Sequence, residues 1–190
     1  MEIKTPLLSI LIATTSARNE VIKPLLAEID RQMNKTGAIG KVELIINDHE
    51  TDCIGKKRND LLKQAKGSHV VFIDSDDHIA NTYIIVILIA IECENTDCIG
   101  INGIITTNRG NERKWFISKE YGSWYTGVDG TYYRTPNHIS PVRRELALKA
   151  GFPEVSFAED YAYSMALLPL LKTECLISRP LYHYDYSDAK

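Results

Sequence analysis

The feature that most constrains the fold is a short apolar run, residues 70–73, that ends in three carboxylates within four positions. Its large, mostly β-branched side chains predict a strand buried on both faces, as in parallel sheets. Asp74, Asp76 and Asp77 follow, and ligands of open α/β sheets bind beyond the carboxyl ends of strands. Mg²⁺ or Mn²⁺, which prefer oxygen ligands, would offset the repulsion among these carboxylates. These residues alone leave two interpretations open, a metal site and a solvated turn.

Apolar runs with polar exits occur three times in the first half of the chain. Between them, apolar residues at helical spacing predict two helices. This order implies a parallel sheet with right-handed crossovers, so the three exits are expected to meet at one edge of the sheet. The predicted strands cover residues 7–13, 42–46 and 70–73, and the helices cover 21–34 and 53–65.

The second half is less regular. Residues 108–133 are rich in glycine, aromatic and charged residues, which favours irregular hairpins over a binding face. Helices are predicted from 81 or 82 to about 92, at 141–150 and at 158–171, and strands at 97–106, 173–178 and 180–184.

Length and charge limit the classes of function. A chain of 190 residues fits one domain, and a net charge of −3 argues against nucleic-acid binding through a broad basic face. The longest apolar run, residues 83–91, is too short to be a transmembrane segment, and no secretory signal is recognised. With four cysteines expected as reduced thiols, we expect a cytoplasmic protein, or one peripheral at a membrane.

The order of these pieces resembles the inverting family 2 glycosyltransferases of the GT-A fold over nearly the whole chain. Gly55, Arg58 and Asn59 resemble the family's Gly-x-x-x-Arg-Asn element with one residue fewer between glycine and arginine, and the strand ending at Asp77 matches one that ends in Asp-x-Asp-Asp. Asn47 and His49 depart from the family pattern around the second strand exit, as does the Ala-Thr-Thr-Ser exit of the first strand. The blocks that carry the resemblance are residues 8–16, 44–52, 55–77 and 151–160.

The resemblance implies an α/β fold with a Rossmann-like, mixed but mostly parallel sheet flanked by helices. It implies a single domain over residues 1–190, in which 1–107 form the nucleotide-sugar-binding half and 108–190 the acceptor-side half. The implied partners are a sugar nucleotide, with a UDP-sugar preferred, and a glycan or other hydroxyl acceptor. Mn²⁺ or Mg²⁺ is the implied metal cofactor, and the oligomeric state is left open.

Residues of the donor side take their roles from the matching positions. Asp76 is the preferred metal ligand, with Asp74 and Asp77 as co-ligands or nucleotide contacts. Arg58 would offer a positive fork to the diphosphate or the base edge, whereas Lys56 and Lys57 are expected to be surface cations. Asp48 would accept the imide hydrogen of a uracil-like base, or is a turn aspartate. The implied donor-binding residues are Thr14, Asp48, Arg58, Asp74, Asp76 and Asp77.

On the acceptor side, direct displacement needs a general base beside the attacking hydroxyl. The resemblance assigns this role to Asp160, with Glu159 binding acceptor or orienting the loop. Without the other blocks, both would be ordinary acidic residues at a helix N-terminus. Further candidates with packing as the alternative are His138, His183, Trp115, Trp124 and Tyr125.

Three rival functions remain. A haloacid-dehalogenase-like phosphatase would use Asp74 as nucleophile, but it needs a hydroxyl residue where this chain has His78. Nucleotidyl transfer expects a glycine-rich loop after the first strand, and residues 14–18 contain no glycine. A degenerate transferase fold would bind the nucleotide sugar, or act as an interaction module, without turnover.

Overall fold

The computed structural model describes residues 5–108 and 110–186. Within them, ten strands form one mixed sheet flanked by five α-helices. The strands are β1 (Leu8–Ala13), β2 (Val42–Asn47), β3 (His69–Phe72), β4 (His78–Ile79), β5 (Cys98–Thr107), β6 (Asn111–Ile117), β7 (Tyr125–Thr126), β8 (Tyr132–Arg134), β9 (Val142–Arg143) and β10 (Glu174–Tyr186). The helices are α1 (Lys23–Thr36), α2 (Ile54–Gln64), α3 (Tyr83–Glu94), α4 (Arg144–Ala150) and α5 (Glu159–Leu167).

The centre of the sheet brings the first three strand exits together. Strand β1 runs parallel to β2 on one side and to β3 on the other, with Leu8 opposite both Val42 and His69. Beyond the last β1 residue, the amide of Thr14 donates a hydrogen bond to the carbonyl of Asn47 at 2.8 Å. Since parallel strands end at the same edge, these three exits lie along one edge of the sheet, as the sequence predicts.

Strand β3 is buried on both faces, which confirms its predicted position inside the sheet. Val71 and the following Ile73 pack in the core cluster that contains residues of α1 and α3. Val70 and Phe72 point the other way, into the cluster with residues of α2, α4 and α5. The alternation is that of a strand covered by helices on each side.

Tertiary pairing changes three predicted elements. Helix α4 begins only at Arg144, because Val142 pairs in the sheet with both Val70 and Cys98. Helix α5 ends at Leu167, and Pro169 lies in the 3₁₀ turn that follows. The two predicted closing strands are one strand, β10, which is parallel to β5 with register shifts around Pro180.

Strands β6, β7 and β8 build the region that the sequence leaves irregular. Strand β6 pairs antiparallel with β5 and parallel with β8, and β7 pairs antiparallel with β8. The predicted hairpins therefore extend the central sheet. None of the helices in the described part of the chain is long and apolar enough to cross a membrane.

A seam fastens α2 to the segment before α5. The side chain of Asn59 donates to the carbonyl of Phe152 at 2.8 Å and accepts from the amide of Phe152 at 2.9 Å. A methyl group at Gly55 would lie 1.9 Å from the carbonyl oxygen of Pro153, so only glycine allows this approach. The element from Gly55 to Asn59 thus holds the start of α5 against α2.

Candidate active site

A polar cleft with a volume of about 600 Å³ opens where β1 and β3 end. Its walls come from the residues after these strands, the first turns of α2, the start of α5 and the end of β10. Its lining includes Thr14, Arg18, Lys57, Arg58, Asp74, Ser75, Asp76, Glu159, Tyr184 and Tyr186.

Arg58 lies at the floor of the polar cleft with 4% of its side chain exposed. Its Nη1 donates to Glu159 Oε1 at 2.6 Å, and its Nη2 donates to Asp74 Oδ1 at 3.2 Å. The guanidinium carbon lies 5.7 Å and 5.5 Å from the ring centroids of Phe72 and Phe152. Arg58 is therefore a fixed positive charge that joins the exit of β3 to the start of α5.

Asp74 is held as a carboxylate by two partners. His138 Nε2 lies 3.3 Å from Asp74 Oδ2, and Arg58 occupies the other oxygen. Burial raises the pKa of Asp74, but charge and hydrogen-bond interactions with His138 and Arg58 lower it well below its usual range. The exit of β3 thus carries a negative charge at neutral pH.

Asp76 and Asp77 diverge into different surroundings. Asp76 lines the polar cleft, where Arg18 Nη1 lies 3.1 Å from both Asp76 Oδ1 and Ser75 Oγ. Asp77 is buried outside the lining of this cleft and accepts a hydrogen bond from the hydroxyl of Tyr182 at 2.6 Å. Two of the three carboxylates singled out in the sequence, Asp74 and Asp76, therefore line the polar cleft.

The fit to a divalent cation follows from this pair. Among residues 5–108 and 110–186, no three His, Cys, Asp or Glu side chains are grouped so as to hold a metal ion by themselves. Mg²⁺ is commonly held by only one or two carboxylates, with phosphate oxygens of the substrate and water as its other ligands. The two carboxylates that line the polar cleft, Asp74 and Asp76, are enough for such a shared site, and the assignment of Asp74, Asp76 and Asp77 as metal ligands stays a prediction.

The exit of β1 supplies a hydroxyl, and a buried cation of α2 is bound to its main chain. Thr14 Oγ1 is buried with no hydrogen-bond partner among the described residues, and Thr14 lines the polar cleft. Lys57 is buried and donates to the Thr14 carbonyl at 2.6 Å, so its expected position at the surface is wrong. Lys56 is the surface cation expected, paired with Asp52 and Asp60.

Asp48 lies apart from these groups. It is exposed in the turn after β2 and is not among the residues that line the polar cleft. The turn is held in part by Asn47 Oδ1, which accepts from the amide of His49 at 3.1 Å. Both roles considered for Asp48, base recognition and turn formation, therefore stay open.

An aromatic pocket of about 470 Å³ adjoins the polar cleft. Asp74, Tyr184 and Tyr186 line both cavities. Burial raises the pKa of Tyr184 to about 12, with a smaller contribution from nearby aspartates, so its hydroxyl keeps its proton at neutral pH. The pocket is otherwise lined by Trp115, Trp124, Tyr132, Tyr182, Arg134, His138 and Asp160, among others.

The start of α5 sends two neighbouring carboxylates to different cavities. Glu159 is buried against Arg58 in the polar cleft, whereas Asp160 lines the aromatic pocket. The residue before them, Ala158, has φ of 59°, a left-handed conformation that is unfavourable for alanine. Because successive residues of an α-helix project about 100° apart around its axis, these two side chains reach different cavities.

Sequence reasoning missed several residues of the site, among them Arg18, Tyr182 and Tyr184. Arg18 lies in the 3₁₀ turn Ser16–Arg18 after β1, and no motif marks it. Tyr182 and Tyr184 enter the site from β10, more than 100 residues after the carboxylates that they approach. Their distance along the chain leaves no local signal by which sequence reasoning finds them.

The candidates with packing as an alternative role lie in different parts of the structure. Trp115, Trp124 and His138 line the aromatic pocket. Tyr125 does not line it and stacks on Tyr133, with ring centroids 4.9 Å apart. His183 lines neither cavity and is hydrogen-bonded to the hydroxyl of Thr106.

Solved structures share this architecture. TarS of S. aureus in complex with UDP-GlcNAc superposes with a TM-score of 0.68 at 18% identity, covering 96% of this chain and 59% of that chain. TarS in complex with UDP gives a TM-score of 0.68 at 21% identity, covering 95% and 60%. The chain thus spans about three fifths of the TarS chains. No protein-family model and no curated protein matches it. The chain has the GT-A glycosyltransferase fold that its sequence motifs predict.

Proposed function

We propose that this chain transfers a sugar from a nucleoside-diphosphate sugar to an acceptor hydroxyl, in a metal-dependent reaction that inverts the anomeric carbon. The observation that carries this proposal is the junction of the two cavities at Asp74, Tyr184 and Tyr186. One cavity holds carboxylates and cations suited to a diphosphate, and the other holds Asp160 among aromatic rings. The likeness to the fold of TarS, solved with UDP-GlcNAc and with UDP, supports a UDP-sugar as donor.

The polar cleft would bind the donor. Bound Mn²⁺ or Mg²⁺, held by Asp76 and Asp74 with Asp77 in support, would neutralise the negative charge that develops on the diphosphate. His138 and Arg58 together keep Asp74 ionised and in place. The unpartnered hydroxyl of Thr14 would bond to the nucleotide, and Asp48 would contact the base from its turn.

The aromatic pocket would bind the acceptor. Asp160 would take the proton of the acceptor hydroxyl as the acceptor oxygen bonds to the anomeric carbon. The bond from that carbon to the diphosphate oxygen breaks in the same step, and the nucleoside diphosphate leaves with the electron pair. A single displacement of this kind inverts the anomeric carbon. Glu159, fixed by Arg58, would orient the start of α5, which carries Asp160.

We also propose the division of labour suggested by the resemblance, with residues 1–107 as the donor half and 108–190 as the acceptor half. Residues 1–4, 109 and 187–190 lie outside the described residues. Glu159 and Tyr184 line the polar cleft from the second half, so donor binding would draw on both halves. The proposed location is the cytoplasm or the surface of a membrane.

The test is release of nucleoside diphosphate from a panel of sugar nucleotides, with Mn²⁺, Mg²⁺ or EDTA and with glycan acceptors. Asp160→Asn should lower transfer at least about a hundredfold, since it removes the base, and should still bind UDP. Asp76→Ala should abolish the stimulation by metal. Asp30→Asn, an exposed aspartate on α1, is the matched control and should behave as wild type.

The outcomes separate the parts of the proposal. Release from no donor under any condition would contradict the transferase function, and binding of UDP without release would identify a binding module. Full activity of Asp160→Asn would remove only the assignment of the base. Full stimulation of Asp76→Ala by metal would remove only the assignment of the ligand.

A further inference from the structure

The polar cleft contains a basic side chain, Arg18, that has no role in the proposed reaction. Arg18 ends the 3₁₀ turn Ser16–Arg18 directly after β1. The turn is anchored at its other end, where the amide of Ser16 donates to Glu50 Oε1 at 2.6 Å. The main chain that carries Arg18 is therefore attached to the exit of β2 as well as to that of β1.

The guanidinium group of Arg18 reaches the exit of β3. Its Nη1 lies 3.1 Å from both Ser75 Oγ and Asp76 Oδ1. Asp76 is the preferred metal ligand. Nη1 of Arg18 and a divalent cation would therefore compete for the same carboxylate. When no metal is bound, a positive group beside Asp76 offsets the repulsion among the carboxylates at the exit of β3.

The other two basic side chains of the cleft are immobilised. Arg58 is 4% exposed and bound to two carboxylates, and Lys57 is buried on the Thr14 carbonyl. Arg18, in contrast, has 43% of its side chain exposed. An exposed ion pair contributes little to stability, and a long side chain on a surface turn changes rotamer readily. Arg18 is thus the cleft cation that can turn toward a ligand at small cost.

A diphosphate in this cleft would need such a group. Arginine binds phosphate oxygens through a planar fork of N–H donors, which a divalent cation does not supply. Asp52, Asp74, Asp76 and Glu159 all line the cleft and would repel the incoming anion. Arg58 and Lys57 are already engaged with protein groups, which leaves Arg18 to meet phosphate oxygens directly.

We propose that Arg18 exchanges partners during donor binding: it rests on Asp76 in the metal-free chain, gives way to the divalent cation, and then binds the diphosphate of the sugar nucleotide. This inference rests on the proposed function, because it takes the diphosphate as ligand. It adds to that function a residue that binds the leaving group. It also makes the metal and Arg18 competitors for one carboxylate.

Two opposite changes in affinity test the exchange. Arg18→Ala should weaken UDP binding about tenfold, as expected for the loss of a charged hydrogen bond, and leave uridine binding unchanged. The same variant should bind Mn²⁺ alone about threefold more tightly, because Asp76 has lost a competing cation. Calorimetry measures the affinities for UDP and uridine, and electron paramagnetic resonance measures that for Mn²⁺. Arg18→Lys should restore part of the UDP affinity.

Arg31→Ala is the matched control. Arg31 is 42% exposed and paired with Glu28 on α1, outside both cavities, so its loss should change neither affinity. A structural role for Arg18 would weaken UDP and Mn²⁺ binding together and would overturn the proposal, as would unchanged UDP binding in Arg18→Ala. Failure of the wild type to bind UDP would instead contradict the proposed donor, and with it the ligand assigned to Arg18.

Discussion

Arg58 in the polar cleft and Arg134 in the aromatic pocket are held in different ways. Arg58 in the polar cleft binds two carboxylates and is almost fully buried. Arg134 in the aromatic pocket donates to the main-chain carbonyls of Tyr125 and Tyr133 at 2.8 Å and 2.9 Å. Its guanidinium lies over the rings of Trp124 and Tyr132, at 5.1 Å and 4.9 Å from their centroids.

This difference shows how each cavity is prepared for its ligand. Removal of Arg58 would take the ion-pair partner from the buried Glu159 carboxylate and one of two partners from Asp74, which would keep His138. Arg134 neutralises no buried carboxylate by direct contact in the described structure, and burial lowers its pKa. We infer that the polar cleft is organised by charge and the aromatic pocket by packing, and the predictions below test this contrast.

The largest effect is expected from removal of the two arginines in turn. Arg58→Ala should lower the free energy of unfolding by about 3–5 kcal/mol, since it breaks a buried ion-pair network. Arg134→Ala should cost only about 1–2 kcal/mol, because it loses main-chain hydrogen bonds and ring contacts at a partly exposed position. Urea denaturation measures both values. Equal losses would contradict the contrast between the cavities.

The pH dependence of stability should reveal the charge on Asp74. Its pKa is lowered in the folded protein, so its contribution is fully present above the unfolded pKa of about 3.9 and is lost as the pH falls through the folded pKa. Between pH 5 and 7, we expect the free energy of unfolding of the wild type to exceed that of Asp74→Asn by about 1.5–3 kcal/mol, the contribution of a charged hydrogen bond. The difference should shrink below about pH 4. A constant difference down to pH 3 would contradict the pairing.

Glycine substitutions compare the seam with the aromatic side of the molecule. Gly55→Ala places a methyl group 1.9 Å from the Pro153 carbonyl and should destabilise by about 1–3 kcal/mol. Because the seam positions Glu159, transfer should fall as well. Gly122→Ala is the control, since nothing lies within 4 Å of the position that its added methyl group would take and its φ is not left-handed. Thermal unfolding of the two variants should differ clearly, and identical midpoints would argue against a tight seam.

The smallest effect is a gain of stability. Ala158 adopts φ of 59° before α5, and glycine takes this conformation without a steric penalty. Ala158→Gly should therefore raise the free energy of unfolding by about 0.5–1 kcal/mol. If the strain also directs Asp160 toward the acceptor, the more stable variant should transfer more slowly. If Ala158→Gly is neither more stable nor slower in sugar transfer, this backbone conformation has no functional role.

Much of the polar cleft could be predicted because its residues follow buried strands. Asp74 and Asp76 sit where an apolar run ends, and Thr14 follows another, so local pattern places them at one edge. The aromatic pocket could be predicted only in part. Trp115, Trp124 and Asp160 are candidates from the sequence, but whether the tryptophans pack or bind depends on strands β6 to β8, whose pairing is not encoded in any local period.

The sequence by itself determined the alternation of strands and helices, the burial of β3 on both faces and the position of the carboxylates beyond it, since these follow from side-chain periodicity. The tertiary structure alone decided the partners of these groups. It placed Arg58 between Asp74 and Glu159, Arg18 on Asp76, and Tyr182 on Asp77. Such contacts join residues from 16 to 105 positions apart, so long-range packing and electrostatics select them and local side-chain periodicity does not.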